Sequence, residues 1–128
     1  MVVSVKADFI QLTIVVYHTP HDKADGAIRD KWWDTMEELN AKWQPDMIFW
    51  DLNGRISHKQ ANTQYVGDCG PTQQTDDNGA RMLRMATTEA YYLDNTFLHK
   101  GDGVTWHDER RGRHRIDYIL TKDHLHQH

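Results

Sequence analysis

The apolar positions change period several times along the chain, and each change marks an element. Residues 1–5 and 11–17 are β-branched and apolar on either side of a polar break at Lys6 to Asp8, which predicts two strands joined as a hairpin. Residues 18–26 are polar, with Pro20 and Gly26 as breakers, and read as a loop. Ile28, Trp32, Met36, Leu39 and Trp43 then recur at helical spacing with charges between them. Pro45 ends that helix, because the residue before a proline is pushed out of the helical region. Met47, Ile48, Phe49 and Trp50 form a short, continuously apolar run suited to a buried strand, followed at once by Asp51-Leu52-Asn53-Gly54. Residues 55–78 are a polar excursion, and long loops in compact domains are usually functional or mobile. Asn78-Gly79 opens a second predicted helix, with Met82, Leu83, Ala86, Ala90 and Leu93 on its buried face. Three short strands follow, around residues 96–98, 104–106 and 116–120. The pattern predicts an α/β domain over residues 1–121, with about five or six strands and two helices, and a polar, His-rich tail over 122–128.

Composition narrows the class. A chain of 128 residues suits one core and no second module. The hydrophobic fraction of 38% is low, and five tryptophans with five tyrosines compensate because each buries a large area. No apolar run approaches the roughly 18 residues of a membrane span, and the first residues lack the order of a signal peptide. The single cysteine, Cys69, rules out an internal disulfide and fits a reducing compartment. The expectation is an intracellular protein, nuclear or cytoplasmic, with no membrane partner.

A net charge of -4 argues against a protein that coats DNA non-specifically, but is compatible with a nuclease cleft, which needs acidic metal ligands beside basic phosphate contacts. Positive charge gathers at Arg110, Arg111, Arg113 and Arg115, with His114 among them. That cluster is either a solvated basic loop or a phosphate-facing patch. Asp51 and Asn53 sit two apart where an apolar strand ends, so alternation allows both to point over one sheet edge. A carboxylate there could orient a water or hold magnesium, and an amide could donate to a phosphate oxygen. The alternative is an ordinary Asn-Gly turn.

Read in order, the end of VVY at Tyr17, a Trp-bearing helix, FWDLNGRIS, DDNGARML, NTFLHK, VTW and RIDYIL resemble the endonuclease/exonuclease/phosphatase superfamily. The likeness is greatest to the apurinic-type endonuclease domains of non-LTR retrotransposons and runs from about Val2 to Thr121. It implies a partial β-sandwich flanked by helices, and magnesium- or manganese-dependent phosphodiester hydrolysis on nucleic acid, DNA in preference to RNA. By position, Asp51 matches the aspartate that aligns the attacking water and is the implied metal ligand. Asn53 matches the asparagine on the scissile phosphate, and Asp117 the aspartate that orients the family's catalytic histidine. Tyr17 matches a tyrosine beside the phosphate, although Tyr17-His18-Thr19-Pro20 is one residue longer than the usual Tyr-x-Pro. Trp106 matches a tryptophan that packs or contacts nucleic acid, with packing preferred, and Arg111, Arg113 and Arg115 are the expected nucleic-acid contacts.

Two departures stand beside these matches. Trp50 precedes Asp51 where the family has glycine, and either alters substrate approach or packs into the core. The family's N-terminal asparagine and glutamate and its closing Ser-Asp-His have no counterpart, since Asp123-His124 lies only six residues beyond Asp117. The resemblance is therefore expected to be to the C-terminal portion only, weakly active or inactive alone. Two rival readings are a non-catalytic remnant that binds nucleic acid or protein, and a histidine-dependent metal module using His18, His21, His124, His126 and His128. The tail histidines are expected to be solvated and the tail to fray. The apolar runs over 12–17 and 47–50 look built for burial on both faces, which predicts a homodimer or a missing N-terminal half covering the sheet.

Overall fold

A computed structural model describes residues 1–98 and 100–126, apart from the side chain of Gln60. The tail positions Gln127 and His128, and His99 of the NTFLHK stretch, lie outside the described residues.

The expected hairpin forms. β1 (Val2–Ala7) and β2 (Ile10–His18) pair antiparallel, each longer than its apolar run. α1 (Gly26–Trp43) is capped by the Asp25 carboxylate, which accepts from the Ala27 N–H, and ends where Gln44 turns left-handed at φ 43° just before Pro45. β3 (Met47–Asp51) runs parallel to β2, a pairing that needs a crossover connection, which α1 supplies. A single-turn helix, α2 (His58–Ala61), lies in the otherwise irregular excursion. α3 (Asp77–Glu89) starts at the N-cap Asp76, whose carboxylate accepts from the Gly79 N–H.

The second helix stops earlier than its apolar pattern suggests. Ala90 adopts φ 58°, and the apolar residues beyond it form β4 (Tyr91–Leu93), buried throughout. Residues 94–96 then make a 3₁₀ turn, and the strand expected around 96–98 does not form. β5 (Trp106–Asp108) and β6 (Gly112–His114) form a small hairpin of their own, and β7 (Asp117–Lys122) returns to the main sheet. The α/β reading holds, with seven strands in two sheets among the described residues instead of five or six.

The main sheet has the order β1-β2-β3-β7-β4. Alternation along its strands sends Val15, Tyr17, Ile48, Trp50, Tyr118, Leu120, Tyr91 and Leu93 to one face, where they meet Trp33 and Met36 of α1 and Met82, Met85 and Ala86 of α3. Trp50 is therefore a core residue: it is 2% exposed, packs among Tyr17, Trp32 and Trp33, and donates its indole N–H to the Thr19 hydroxyl at 2.8 Å. No described helix is long and apolar enough to cross a membrane.

Candidate active site at the sheet edge

The register across three strands lines up His18, Asp51 and Asp117. Direct partners share a face of the sheet, so these three polar groups form a row at one end of the face opposite the helices. Asp117 is held there through its backbone: Thr105 Oγ1 accepts from its N–H at 3.2 Å, and its carbonyl accepts from Asn95 Nδ2 at 2.9 Å. Asn95 belongs to the NTF stretch, so that motif serves to fix the strand bearing Asp117.

Asn53 reaches the row by a different route from strand alternation. The strand ends at Asp51, and Asn53 takes φ 46°, which folds it back so that its N–H donates to Asp51 Oδ1 at 3.2 Å. Its side-chain amide donates to the Thr19 carbonyl at 2.8 Å and lies 3.2 Å from His18 Nε2. His18 Nε2 is in turn 3.4 Å from Asp51 Oδ2, with the two side chains 73% and 41% exposed. The Asn-Gly turn and the candidate site are thus the same object.

The turn is held from below by the start of α3. Asn78, 1% exposed, donates its amide to the carbonyls of Pro20, Leu52 and Asn53 at 3.2, 3.4 and 3.3 Å, and accepts from the Trp33 indole at 3.3 Å. Gly79 permits the approach, because a Cβ there would lie 1.8 Å from the Arg55 carbonyl oxygen. The Asp76 carboxylate accepts from both the backbone N–H and the Nε of Arg55.

A cleft of about 290 Å³ opens beside this turn. Asn53, Gly54, Arg55 and Asp76 form one wall, His21 to Lys23 another, and Trp106, Arg111, His114 and Ile116 of the hairpin region a third. Trp106 is half-buried and stacks on His114 at 5.9 Å, outside the main core, so it packs within the small hairpin and also lines the cleft. The expected nucleic-acid contacts Trp106 and Arg111 and the expected catalytic residue Asn53 therefore share one cavity.

Other expected site residues fall elsewhere. Tyr17 faces the helices, not the row. It is 7% exposed, its hydroxyl is buried without a hydrogen-bond partner, and burial followed by the nearby Glu89 carboxylate pushes its pKa up to about 12. The residue two before Pro20 is His18, and it takes the place beside Asp51; counting back from the proline would have found it. Arg115 is a second correction. It is 4% exposed, with Nε on the Gly103 carbonyl at 2.9 Å and Nη1 on the Cys69 carbonyl at 2.7 Å, so its guanidinium is spent on the protein's own loops. Burial lowers its pKa from the usual arginine value. Arg113 is exposed and paired with Asp102, whose pKa is lowered first by the Val104 N–H and then by that arginine.

Among the described residues the histidines do not converge. His18 meets Asp51, His124 is 3.4 Å from Asp46, and His126 Nδ1 is 2.6 Å from Asp94 Oδ1. His126 is not solvated as expected: its ring stacks on Tyr92 at 3.9 Å, and its side chain is 4% exposed. Among the described residues no three His, Cys, Asp or Glu side chains are grouped to hold a metal ion.

No protein-family profile matches the chain, and no curated protein matches it. Among solved structures its fold is similar to the endonuclease domain of TRAS1, a telomere-specific non-LTR retrotransposon, with a TM-score of 0.64 and 15% identity over 97% of this chain. The match takes in 50% of that domain's chain, so the protein spans about half the length of this structural relative.

Proposed function

We propose that the chain carries the phosphate-handling corner of a nucleic-acid phosphodiesterase domain of the retrotransposon-endonuclease type, with DNA as its ligand and near-background activity alone. The observation that supports this reading most is the row His18–Asp51–Asp117 with Asn53 folded against it, opening beside a cleft that holds Arg111 and Trp106. The likeness to a retrotransposon endonuclease fold supports the same class.

Magnesium or manganese is the proposed cofactor. Asp51, with Asp117 opposite it on β7, would hold the ion, and magnesium commonly takes only one or two protein carboxylates when phosphates and water complete its shell. A bound ion would supply Lewis-acid polarisation of a phosphoryl oxygen. The chain's own residues account for positioning: Asn53 offers an amide to a phosphate oxygen, His18 orients the Asp51 carboxylate, and Arg111 attracts the backbone charge. Trp106 offers a flat face to a base. The family's glutamate and closing histidine have no counterpart in these 128 residues, and general acid–base groups each contribute on the order of 10²–10⁴ in rate.

Plasmid and abasic-oligonucleotide cleavage with magnesium, against EDTA, tests this together with oligonucleotide binding by fluorescence anisotropy. The expected result is salt-dependent binding that weakens in Asn53→Ala and Arg111→Ala, with cleavage close to background. Robust magnesium-dependent cleavage abolished by Asp51→Ala would overturn the inactive part of the reading, and absence of binding at low salt would overturn the whole. A non-catalytic nucleic-acid module is the second reading, favoured by the missing glutamate and histidine.

A further inference from the structure

We infer that the helix-free face of the main sheet is a self-association surface, covered by a second copy of this chain packed face to face about a two-fold axis. Helices α1 and α3 cover only one face of the sheet. On the other face Val3, Val5, Val16 and Phe49 are 41%, 43%, 37% and 40% exposed, with Met47 and Ile119 half-buried between them. The registers Val3↔Ile14↔Met47 and Val16↔Phe49↔Ile119 make these positions one continuous apolar surface from β1 to β7. The β4 end of the same face is already closed, because Tyr92 packs against Tyr65, Phe97 and His126. The open area is thus bounded on the side where the chain supplies its own cover.

Three observations select a second copy as the occupant. The first is size: four strands about 4.8 Å apart, each some six residues long at about 3.3 Å per residue, give a face of roughly 20 by 20 Å. Two such faces together remove on the order of 1,000 Å² of accessible surface, the lower bound for a specific interface. The second is charge. Among the described residues no strand position on this face is Lys, Arg or Glu, and the only carboxylates at its strand positions, Asp51 and Asp117, lie in the row at one end. An apolar surface without a pattern of charge offers nothing to select a differently charged partner, and a self-contact over it buries no ion.

The third is that the acidic row separates the two limiting ways to close the pair, with the axis along the strands or across them. A two-fold axis along the strands would place four carboxylates together, whereas an axis across the strands sets each acidic row beyond the partner's far end, near Val5 and Leu12. The second arrangement removes the repulsion. A closed two-fold contact also ends growth at the dimer.

Light scattering coupled to size exclusion, across the micromolar range, tests this on the full chain. The expected result is a mass about twice 15.1 kDa that halves in Phe49→Lys with the α/β circular dichroism retained. Val3→Lys on the edge strand, where the backbone has one neighbour only, is a second variant expected to do the same should Phe49→Lys fail to fold. A monomer throughout the range overturns the proposal, including a monomer that takes up a hydrophobic dye on this face, which would mark the face for a different partner. A dimer whose mass neither lysine changes overturns it as well.

Discussion

His18 Nε2 stands 3.4 Å from Asp51 Oδ2 because β2 and β3 run parallel in a register that pairs these two residues directly. Thirty-three positions separate them in the chain, and α1 between them does the separating and the joining at once. The histidine gives the carboxylate a neighbour that can carry charge or donate, and Asn53 meets both.

His18→Ala should leave folding nearly untouched, within about 0.5 kcal/mol, since exposed side chains away from packed features rarely cost more. It should lower oligonucleotide affinity a few-fold, on the order of one hydrogen bond's net worth. The side-chain amide resonance of Asn53 should move with it. An unmoved Asn53 amide would show that the contact between the two side chains is not made in solution.

The three arginines expected to touch nucleic acid should behave in three different ways. Arg111→Ala should weaken binding and reduce the slope of log affinity against log salt by about one contact. Arg113→Ala should do little, because its guanidinium is already paired with Asp102. Arg115→Ala should destabilise the fold by roughly 2–4 kcal/mol, through lost packing and two buried carbonyls left without donors. Denaturant melts and anisotropy titrations on the three variants separate these outcomes.

Tyr17→Phe should be neutral or stabilise by up to about 1 kcal/mol, because it removes a buried hydroxyl that has no partner. Burial raises the phenol's pKa from the ordinary tyrosine value of 10.0 to about 12, so its neutral form is the one the fold favours. Its contribution is fully present below pH 10.0 and is lost as pH rises towards about 12. Thermal melts of the wild type should therefore fall through that window, and less steeply in Tyr17→Phe. Parallel curves would assign the alkaline loss to Tyr91 and Tyr118, which burial also raises.

Asn78→Ala should cost about 2–3 kcal/mol, since it leaves the carbonyls of Pro20, Leu52 and Asn53 and the Trp33 indole without their shared partner. Amide hydrogen exchange should quicken at residues 52–55 before it quickens in β7. Gly79→Ala should open the same contact from the other side, because its Cβ would meet the Arg55 carbonyl.

Local periodicity alone determined β2, α1, β3 and β7 as elements, and the polar residues after residue 50 as the place to look for chemistry. These are readable because a strand or helix repeats its own pattern within a few residues. The same rule failed at Ala90, where the apolar spacing runs on through Leu93 although a left-handed residue has ended the helix. It also could not tell Arg115 from Arg111 within one basic cluster. That difference depends on Gly70 at φ 134° and Gly103 at φ 66°, distant in sequence, where a Cβ would strike the buried guanidinium at 2.7 and 1.9 Å. The tertiary structure likewise decided between Tyr17 and His18. Adjacent residues on a strand face opposite ways, and only the side on which the helices pack determines which one is core and which stands beside Asp51.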